Sequence, residues 1–337
     1  MIVYAVVSPS VFDSEHFEQS GYRDQVALFF RGLQGNAVLL LDPTASLLDE
    51  IESTVGNLSI KYRQELEIRI AELRKSLREK RRCRMVVKLS ATKCNTASNQ
   101  TPLQRCSSVA LAASADAVFL PEYEIAALGA SGLVLPTARM AEYSRTEFEE
   151  RRRYFMEDLP PIDQLAPEAF DDLIVRATRF SVWIRVYDKQ IGKGSNVSNF
   201  RRGLERILDL WLANAHFHPQ RVEIITAESE HLDEGESGYV AEQKQNRIRE
   251  CNTRVRTLLL SPLRSSVPLA ITVSIKRDGN RIFHARHLQT QTAVVLMERG
   301  FDIQSDTGEL RRNIVKVDLG AQTHLEECRG LAESKYV

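Results

Sequence analysis

Two side chains in the last quarter of the chain, His284 and Arg286, have the types and spacing needed to act on a phosphate group. Neutral imidazole is available near pH 7 and is nucleophilic enough to attack phosphorus. Residues two positions apart in a strand point to the same face, so the Arg286 guanidinium could grip the same phosphate through two hydrogen bonds. We predict catalytic roles for both. The alternative is a site that binds phosphate, or simply packs, without doing chemistry.

A second group of phosphate-binding candidates follows a predicted strand over 181–191. The segment Gly192-Lys193-Gly194-Ser195 lacks the full spacing of a Walker motif. It nevertheless precedes a predicted helix, whose first amides can accept a phosphate, and its lysines add positive charge. Ligands of open α/β sheets bind at this end of the strands. The alternative is a flexible glycine turn. The predicted phosphate-binding residues are Lys189, Lys193, Ser195, Asn196 and Arg286.

The elements that must position these side chains form two domains. In residues 1–156, strands over 2–7, 37–41, 85–89, 117–120 and 133–136 alternate with helices, which predicts an α/β domain with a mainly parallel sheet. Three prolines and several acids mark 157–173 as a linker. Residues 174–325 have the order β-α-β-α-β-β-β-β, which predicts a mixed sheet. Asp278-Gly279-Asn280 predicts a hairpin turn, and 326–337 is a tail.

Composition narrows the function classes. The 45 Lys and Arg residues balance 45 Asp and Glu residues, so a uniformly basic nucleic-acid coat is excluded. Residues 61–88, however, contain eleven Lys and Arg against four Glu. A helix is predicted over residues 60–82 of this stretch. Its basic side chains could contact phosphates or complement the helix macrodipole, or the helix could form a dimer contact. The five cysteines are scattered without a CxxC pair, which disfavours a disulfide framework and structural zinc. The apolar runs are far too short for a transmembrane segment, and we expect a cytoplasmic protein.

Three short motifs mark residues 175–320: Tyr187-Asp188, His284-Ala285-Arg286 and Gly300-Phe301-Asp302. They resemble the phospholipase-D-like C-terminal domain found behind microtubule-interacting-and-transport domains. The wider superfamily uses the pattern His-x-Lys-x(4)-Asp, and the matching positions are His284, Arg286 and Gln291. Glutamine cannot supply the carboxylate. A full site also needs two His motifs, so the resemblance implies that catalysis would require a homodimer.

The N-terminal half resembles PIN-type nuclease domains, in which carboxylates at the strand ends hold Mg²⁺ or Mn²⁺. The segment LLDPTASLLDEIES places Glu50 on a helix, and CSSVALAASADAVFLPEYE places Asp116 before a strand and Glu122 after it. The resemblance implies that these three acids are metal ligands. The first strand ends in Ser8 instead of Asp, and the late helix begins without an acid. The alternative is an α/β regulatory or interaction domain.

Together these patterns predict a cytoplasmic protein that acts on or binds phosphodiesters. The favoured version is a nucleic-acid-directed nuclease or its degenerate relative, in a prokaryotic defence or toxin system. The alternative is a non-enzymatic adaptor that binds anionic lipid head groups or a protein partner.

Overall fold

The computed structural model describes residues 2–79, 83–97, 99–191, 193, 197–230, 232, 236–278, 282–305 and 307–336, with the backbone alone at 157 and 158. The chain divides into two compact units, one ending at Asp158 and one beginning at Leu159. Within the described residues, no helix combines the length and the apolar character that crossing a membrane requires.

In the first unit, five parallel strands form one sheet in the order β3-β2-β1-β4-β5. The strands are β1 (Val3–Val7), β2 (Ala37–Leu41), β3 (Val86–Lys88), β4 (Ala117–Leu120) and β5 (Thr137–Arg139). Every residue of β1, β2 and β4 is buried, because helices cover both faces of a parallel sheet. The prediction of a mainly parallel α/β sheet is confirmed.

Among the described residues of this unit, six α-helices lie between the strands and a seventh follows β5. They are α1 (Ser14–Phe17), α2 (Tyr22–Gly35), α3 (Ser46–Gly56), α4 (Ile60–Arg78), α5 (Pro102–Ala113), α6 (Glu122–Ser131) and α7 (Glu147–Arg153), with 3-10 turns at Pro9–Phe12 and Met140–Arg145 and a π-helical turn at Tyr154–Asp158. Thr101 and Gln104 form a capping box that fixes the start of α5. The strand order changes direction between β1 and β4, and such a switch point opens a crevice at the carboxyl ends of the strands.

The second unit contains a six-stranded mixed sheet in the order β11-β10-β9-β6-β7-β8. The strands are β6 (Trp183–Asp188), β7 (Arg221–Ala227), β8 (Ala270–Lys276), β9 (Arg286–Gln289), β10 (Val294–Met297) and β11 (Val315–Val317). Strands β6, β7 and β8 are mutually parallel, whereas β9, β10 and β11 are antiparallel to their neighbours. The predicted mixed sheet is confirmed.

The helices of this unit include one within the segment interpreted as a linker. They are α8 (Pro167–Thr178), α9 (Val197–Asn214), α10 (Tyr239–Arg254, continued by a π-helical stretch at Val255–Leu260), α11 (Ser261–Ser266) and α12 (Gln322–Gly330), with 3-10 turns at Ile162–Gln164 and Leu319–Ala321. Pro167 opens α8 instead of breaking it, because proline is well suited to the first turn of a helix. Phe170 and Leu173 are completely buried, so this part of 157–173 belongs to the core.

The predicted hairpin between the strands on either side of Asp278 is wrong. Strand β9 pairs with β6, not with β8, and the strands β6 and β7 lie between β9 and β8. Asp278 accepts a hydrogen bond from the Phe283 amide at 3.1 Å, which shapes this connection. The turn residues Gly279 and Asn280 lie outside the described residues. A local turn signal cannot reveal that β6 offers a better antiparallel partner.

Close packing of α9 on the turn after β10 requires a glycine. A Cβ at Gly203 would overlap the carbonyl oxygen of Phe301, which is itself fully buried. Neither group can move without disturbing the core, since interiors are packed at the density of organic crystals.

We therefore expect Gly203→Ala to lower the free energy of unfolding of the second unit by about 2 kcal/mol, through overpacking. Urea denaturation followed by tryptophan fluorescence isolates this unit, because Trp183 and Trp211 are the chain's two tryptophans. Gly330→Ala is the matched control, since a Cβ at Gly330 meets nothing within 4 Å. Equal midpoints for the two variants would contradict the packing argument.

Candidate functional site

The carboxyl ends of β6, β7 and β8 form one edge of the second sheet, and charged side chains gather there. Asp188 ends β6, Lys276 ends β8, and Glu228 and Asp278 follow β7 and β8. Because β9 runs antiparallel to β6, Arg286 lies opposite Asp188 at the same edge. We call Asp188, Asp278, Lys189, Lys193 and Arg286 the edge cluster.

Asp188 is the buried centre of the edge cluster, with no exposed surface. Its Oδ1 accepts the Gln190 amide at 2.8 Å and its Oδ2 accepts the Phe301 amide at 3.0 Å. Burial raises the pKa of Asp188 to about 6, while the two amides and then the charges of Arg286 and Lys193 act in the opposite direction. This carboxyl group can therefore change its charge near neutral pH.

Gly300 makes the contact with Asp188 possible. Its φ of +76° is in the left-handed region, and a Cβ there would overlap the Asp188 carboxylate. The sequence motifs Tyr187-Asp188 and Gly300-Phe301-Asp302 are thus parts of one contact.

Three predicted phosphate-binding cations belong to the edge cluster. Lys189 Nζ lies 3.4 Å from Asp278 Oδ2, and Arg286 Nη1 donates to the Glu298 carbonyl oxygen at 2.5 Å. Burial, followed by the positive charge of Lys189, lowers the pKa of Lys193. Two cations this close lower each other's affinity for protons, and an incoming anion would relieve that repulsion. The predicted residues Ser195 and Asn196 lie outside the described residues.

The structure separates the positions matched to the His-x-Lys-x(4)-Asp pattern. His284 is exposed and precedes β9, so the strand predicted to carry both His284 and Arg286 begins only at Arg286. Gln291 Oε1 accepts the Val182 amide at 2.8 Å, next to the start of β6. Arg286, in contrast, lies at the end of β6. Gln291 therefore lies at the opposite end of β9 from His284 and Arg286, where β6 begins.

The first unit neutralises an acid at its own carboxyl edge with an arginine. Glu50 on α3 forms an ion pair with Arg105, which is only 6% exposed. The Arg105 guanidinium also donates to the Gln100 carbonyl oxygen at 2.5 Å. Nearby, Ser10 Oγ donates to Glu124 Oε1 at 2.9 Å. The positively charged Arg105 guanidinium therefore lies beside Glu50, where a metal cation bound by Glu50 would have to be.

The structure does not bring the predicted metal ligands Glu50, Asp116 and Glu122 together. Asp116 precedes β4 and lies at the amino edge, where it accepts the Tyr4 amide and pairs with Arg151, both at 2.7 Å. Glu122 follows β4 and pairs with Arg139 at 2.6 Å. Among the described residues, no three His, Cys, Asp or Glu side chains could hold a metal ion.

Two open clefts of about 420 and 490 Å³ lie at the amino edge of the first sheet and share Asp116, Glu147 and Phe148 in their walls. They contain none of the predicted phosphate-binding cations. These clefts and the charged side chains of the edge cluster are thus in different places.

Sequence reasoning missed three charged residues at the carboxyl ends of β6, β7 and β8 in the second sheet. Asp278 was interpreted as a turn residue, and neither Lys276 nor Glu228 was singled out. Their common signal is that each ends or directly follows a strand that proves parallel to β6. These residues can be recognised as neighbours only when the order of the strands in the sheet is known, and the sequence alone does not reveal that order.

No protein-family model matches this chain, and a search of curated proteins finds no similar sequence. The resemblances to phospholipase-D-like and PIN-type domains therefore depend on short motifs, and the geometry of the sites carries the argument.

If Arg105 takes the place of a cation, divalent metals should leave stability unchanged. We expect millimolar Mg²⁺ or Mn²⁺, compared with EDTA, to produce no shift in the thermal unfolding midpoint, because ligand binding to the folded state alone raises that midpoint. Sodium chloride of equal ionic strength controls for screening. A rise with Mn²⁺ that EDTA reverses would show that the first unit holds a metal after all.

Proposed function

We propose that the second unit binds the phosphodiester backbone of a nucleic acid at the carboxyl edge of β6, β7 and β8, without hydrolysing it. The observation that carries this proposal is that three cations lie around two buried carboxylates: Lys189 pairs with Asp278 at 3.4 Å, Arg286 is opposite Asp188 in the pairing of β9 with β6, and Lys193 is within electrostatic range of both acids. Cations that an internal acid already positions lose little side-chain freedom when they bind a phosphate.

Binding is favoured over cleavage because the groups that chemistry needs are dispersed. His284 is exposed and outside β9, and Gln291 accepts a hydrogen bond from the Val182 amide at the opposite end of β9. In the first unit, Arg105 neutralises Glu50. Both units would then be degenerate relatives of phosphodiesterases.

The finer fold assignments are part of this proposal. The parallel order β3-β2-β1-β4-β5, with Glu50 and Glu124 on helices that follow β2 and β4, supports a PIN-like first unit. The mixed sheet, with Arg286 opposite Asp188, supports a phospholipase-D-like second unit. A homodimer, a cytoplasmic location and a role in prokaryotic defence stay predictions from the sequence.

A single strand of nucleic acid fits the charge distribution better than an anionic membrane. Lys189 and Lys193 follow β6 and Arg286 begins β9, and the buried acids Asp188, Asp278 and Glu228 lie at the same ends of the strands. A flat anionic surface would meet these acids together with the cations, and the carboxylates would repel it. A single chain of phosphates can lie over the cations alone.

We expect the triple variant Lys189→Gln, Lys193→Gln and Arg286→Gln to weaken binding of single-stranded DNA and RNA. The slope of log K against log salt should fall by about 2, because roughly 0.7 is lost for each phosphate contact. Fluorescence anisotropy across a salt titration measures both quantities. Lys316→Gln on β11, an exposed lysine at the far edge of the sheet, is the control. Binding to anionic vesicles, with no affinity for nucleic acid, would favour the adaptor alternative.

The pKa of Asp188 gives a second test. Below about pH 6 the carboxyl group becomes neutral, which leaves more net positive charge for an anion, so affinity should rise as the pH falls through that value. The ligand must be a phosphodiester oligonucleotide, because its backbone does not titrate in this range.

We expect Asp188→Asn to abolish most of this pH dependence when anisotropy titrations are compared at about pH 5 and about pH 8. His284→Ala is the comparison variant, because histidine is the other side-chain type whose charge commonly changes between pH 5 and 8. A pH dependence that survives in Asp188→Asn and disappears in His284→Ala would move the titrating group to His284.

A further inference from the structure

The segment Ala332–Tyr336 lies along β8, which is an edge strand of the second sheet. The Arg277 amide donates to the Ala332 carbonyl oxygen at 2.8 Å, and the Ser334 amide donates to the Ile275 carbonyl oxygen at 2.7 Å. Lys276 and Glu333 form an antiparallel bridge between these bonds. Although predicted to be a tail, these residues close the edge of the sheet next to the edge cluster.

Glu333 places a carboxylate oxygen where two donors of β8 converge. Its Oε1 lies 2.6 Å from Lys276 Nζ and accepts the Ser274 hydroxyl at 2.5 Å. Ser274 and Lys276 are two residues apart in a strand, so both project from the same face. An ammonium group and a hydroxyl that share one anionic oxygen are also a suitable pair for a phosphate oxygen.

The two partners differ in their exposure. Lys276 is 6% exposed, whereas the Glu333 side chain keeps 61% of its surface in water. The carboxylate can therefore rotate into solvent, but the ammonium cannot. Ion pairs with an exposed partner are worth about 1 kcal/mol or less, so a competing anion could replace Glu333.

Neighbouring residues of the segment are anchored. Ser334 is buried, its hydroxyl donates to Glu228 Oε1 at 2.5 Å, and it accepts Asn252 Nδ2 at 3.1 Å. Glu333 can thus move while Ser334 stays in place.

The anchor continues into the edge cluster. Asn252 follows Cys251, which lies within the electrostatic range of Lys193. The segment therefore lies beside the phosphate-binding cations, over the ends of β7 and β8.

We propose that Ala332–Tyr336 is an internal competitor for the phosphodiester, with the Glu333 carboxylate occupying the Lys276–Ser274 subsite until a phosphate displaces it. This inference rests on the proposed binding function. It adds a fourth cation, Lys276, that is withheld from the ligand in the resting protein.

The test is a double-mutant cycle with Glu333→Gln, Lys276→Gln and the combination, read by anisotropy with a labelled single-stranded oligonucleotide. Glu333→Gln should tighten binding about fivefold, the equivalent of one exposed ion pair. It should also steepen the slope of log K against log salt by about 0.7, because Lys276 then contacts a phosphate without first giving up the Glu333 carboxylate. Lys276→Gln alone should leave affinity near the wild-type value, and in the double variant it should remove the gain.

Glu309→Gln is the charge-matched control, since it removes one exposed carboxylate in the connection between β10 and β11. Tryptophan fluorescence verifies that each variant is folded. If Glu333→Gln binds like the wild type while Lys193→Gln weakens binding, the competitor idea is wrong and the binding site stands. If Glu309→Gln tightens binding equally, net charge explains the gain and the subsite is wrong. If neither the wild type nor Glu333→Gln binds an oligonucleotide, both proposals fail.

Discussion

A carboxylate with no exposed surface, Asp188 at the end of β6, is the constraint on which the second unit depends. An ionised group in such a place is costly unless hydrogen bonds and opposite charges compensate for the lost hydration. The backbone amides of Gln190 and Phe301 supply the hydrogen bonds. The Phe301 amide can reach it only because Gly300 accepts a left-handed conformation next to the carboxylate. One buried charge thereby fixes the turn after β10 against the end of β6.

Different contacts bring the cations to this end of the sheet. Arg286 is brought opposite Asp188 by the antiparallel pairing of β9 with β6, and Lys193 lies within electrostatic range. Lys189 lies beside the second buried acid, Asp278. Within the edge cluster three positive groups accompany two carboxylates, and burial raises the pKa of one of these acids to about 6. The proposed binding of an anion depends on this imbalance within the edge cluster.

Internal neutralisation recurs at both carboxyl edges of the molecule. Arg105 pairs with Glu50 in the first unit, and Glu333 pairs with Lys276 in the second. The two pairs differ in burial. Arg105 is enclosed and makes a further bond to backbone, so its pair is a permanent part of the fold. Glu333 is mostly exposed, so its pair can open. Burial thus distinguishes the enclosed Arg105–Glu50 pair from the exposed Lys276–Glu333 pair, in which we have proposed that a ligand displaces the carboxylate.

The sequence by itself determined the local elements, because they follow from periodicity and capping. Strand β2 and strand β4 were predicted with the bounds that the structure shows, since short apolar runs between turns have few alternatives. The helix predicted after Gly192-Lys193-Gly194-Ser195 is α9, and the mixed character of the second sheet followed from the order of its elements.

The tertiary structure alone decided which side chains meet. The Asp-Gly turn predicted pairing of β8 with β9, but β9 joined β6 and carried Arg286 to Asp188. Asp116 and Glu122 were both expected to bind a metal, but they pair with Arg151 and Arg139 instead. Lys276 and Glu333 are 57 residues apart and were not singled out at all. Periodic patterns report contacts with near neighbours in the chain, whereas strand order depends on which long-range pairings bury the most apolar surface, and that competition is settled only when the whole sheet assembles.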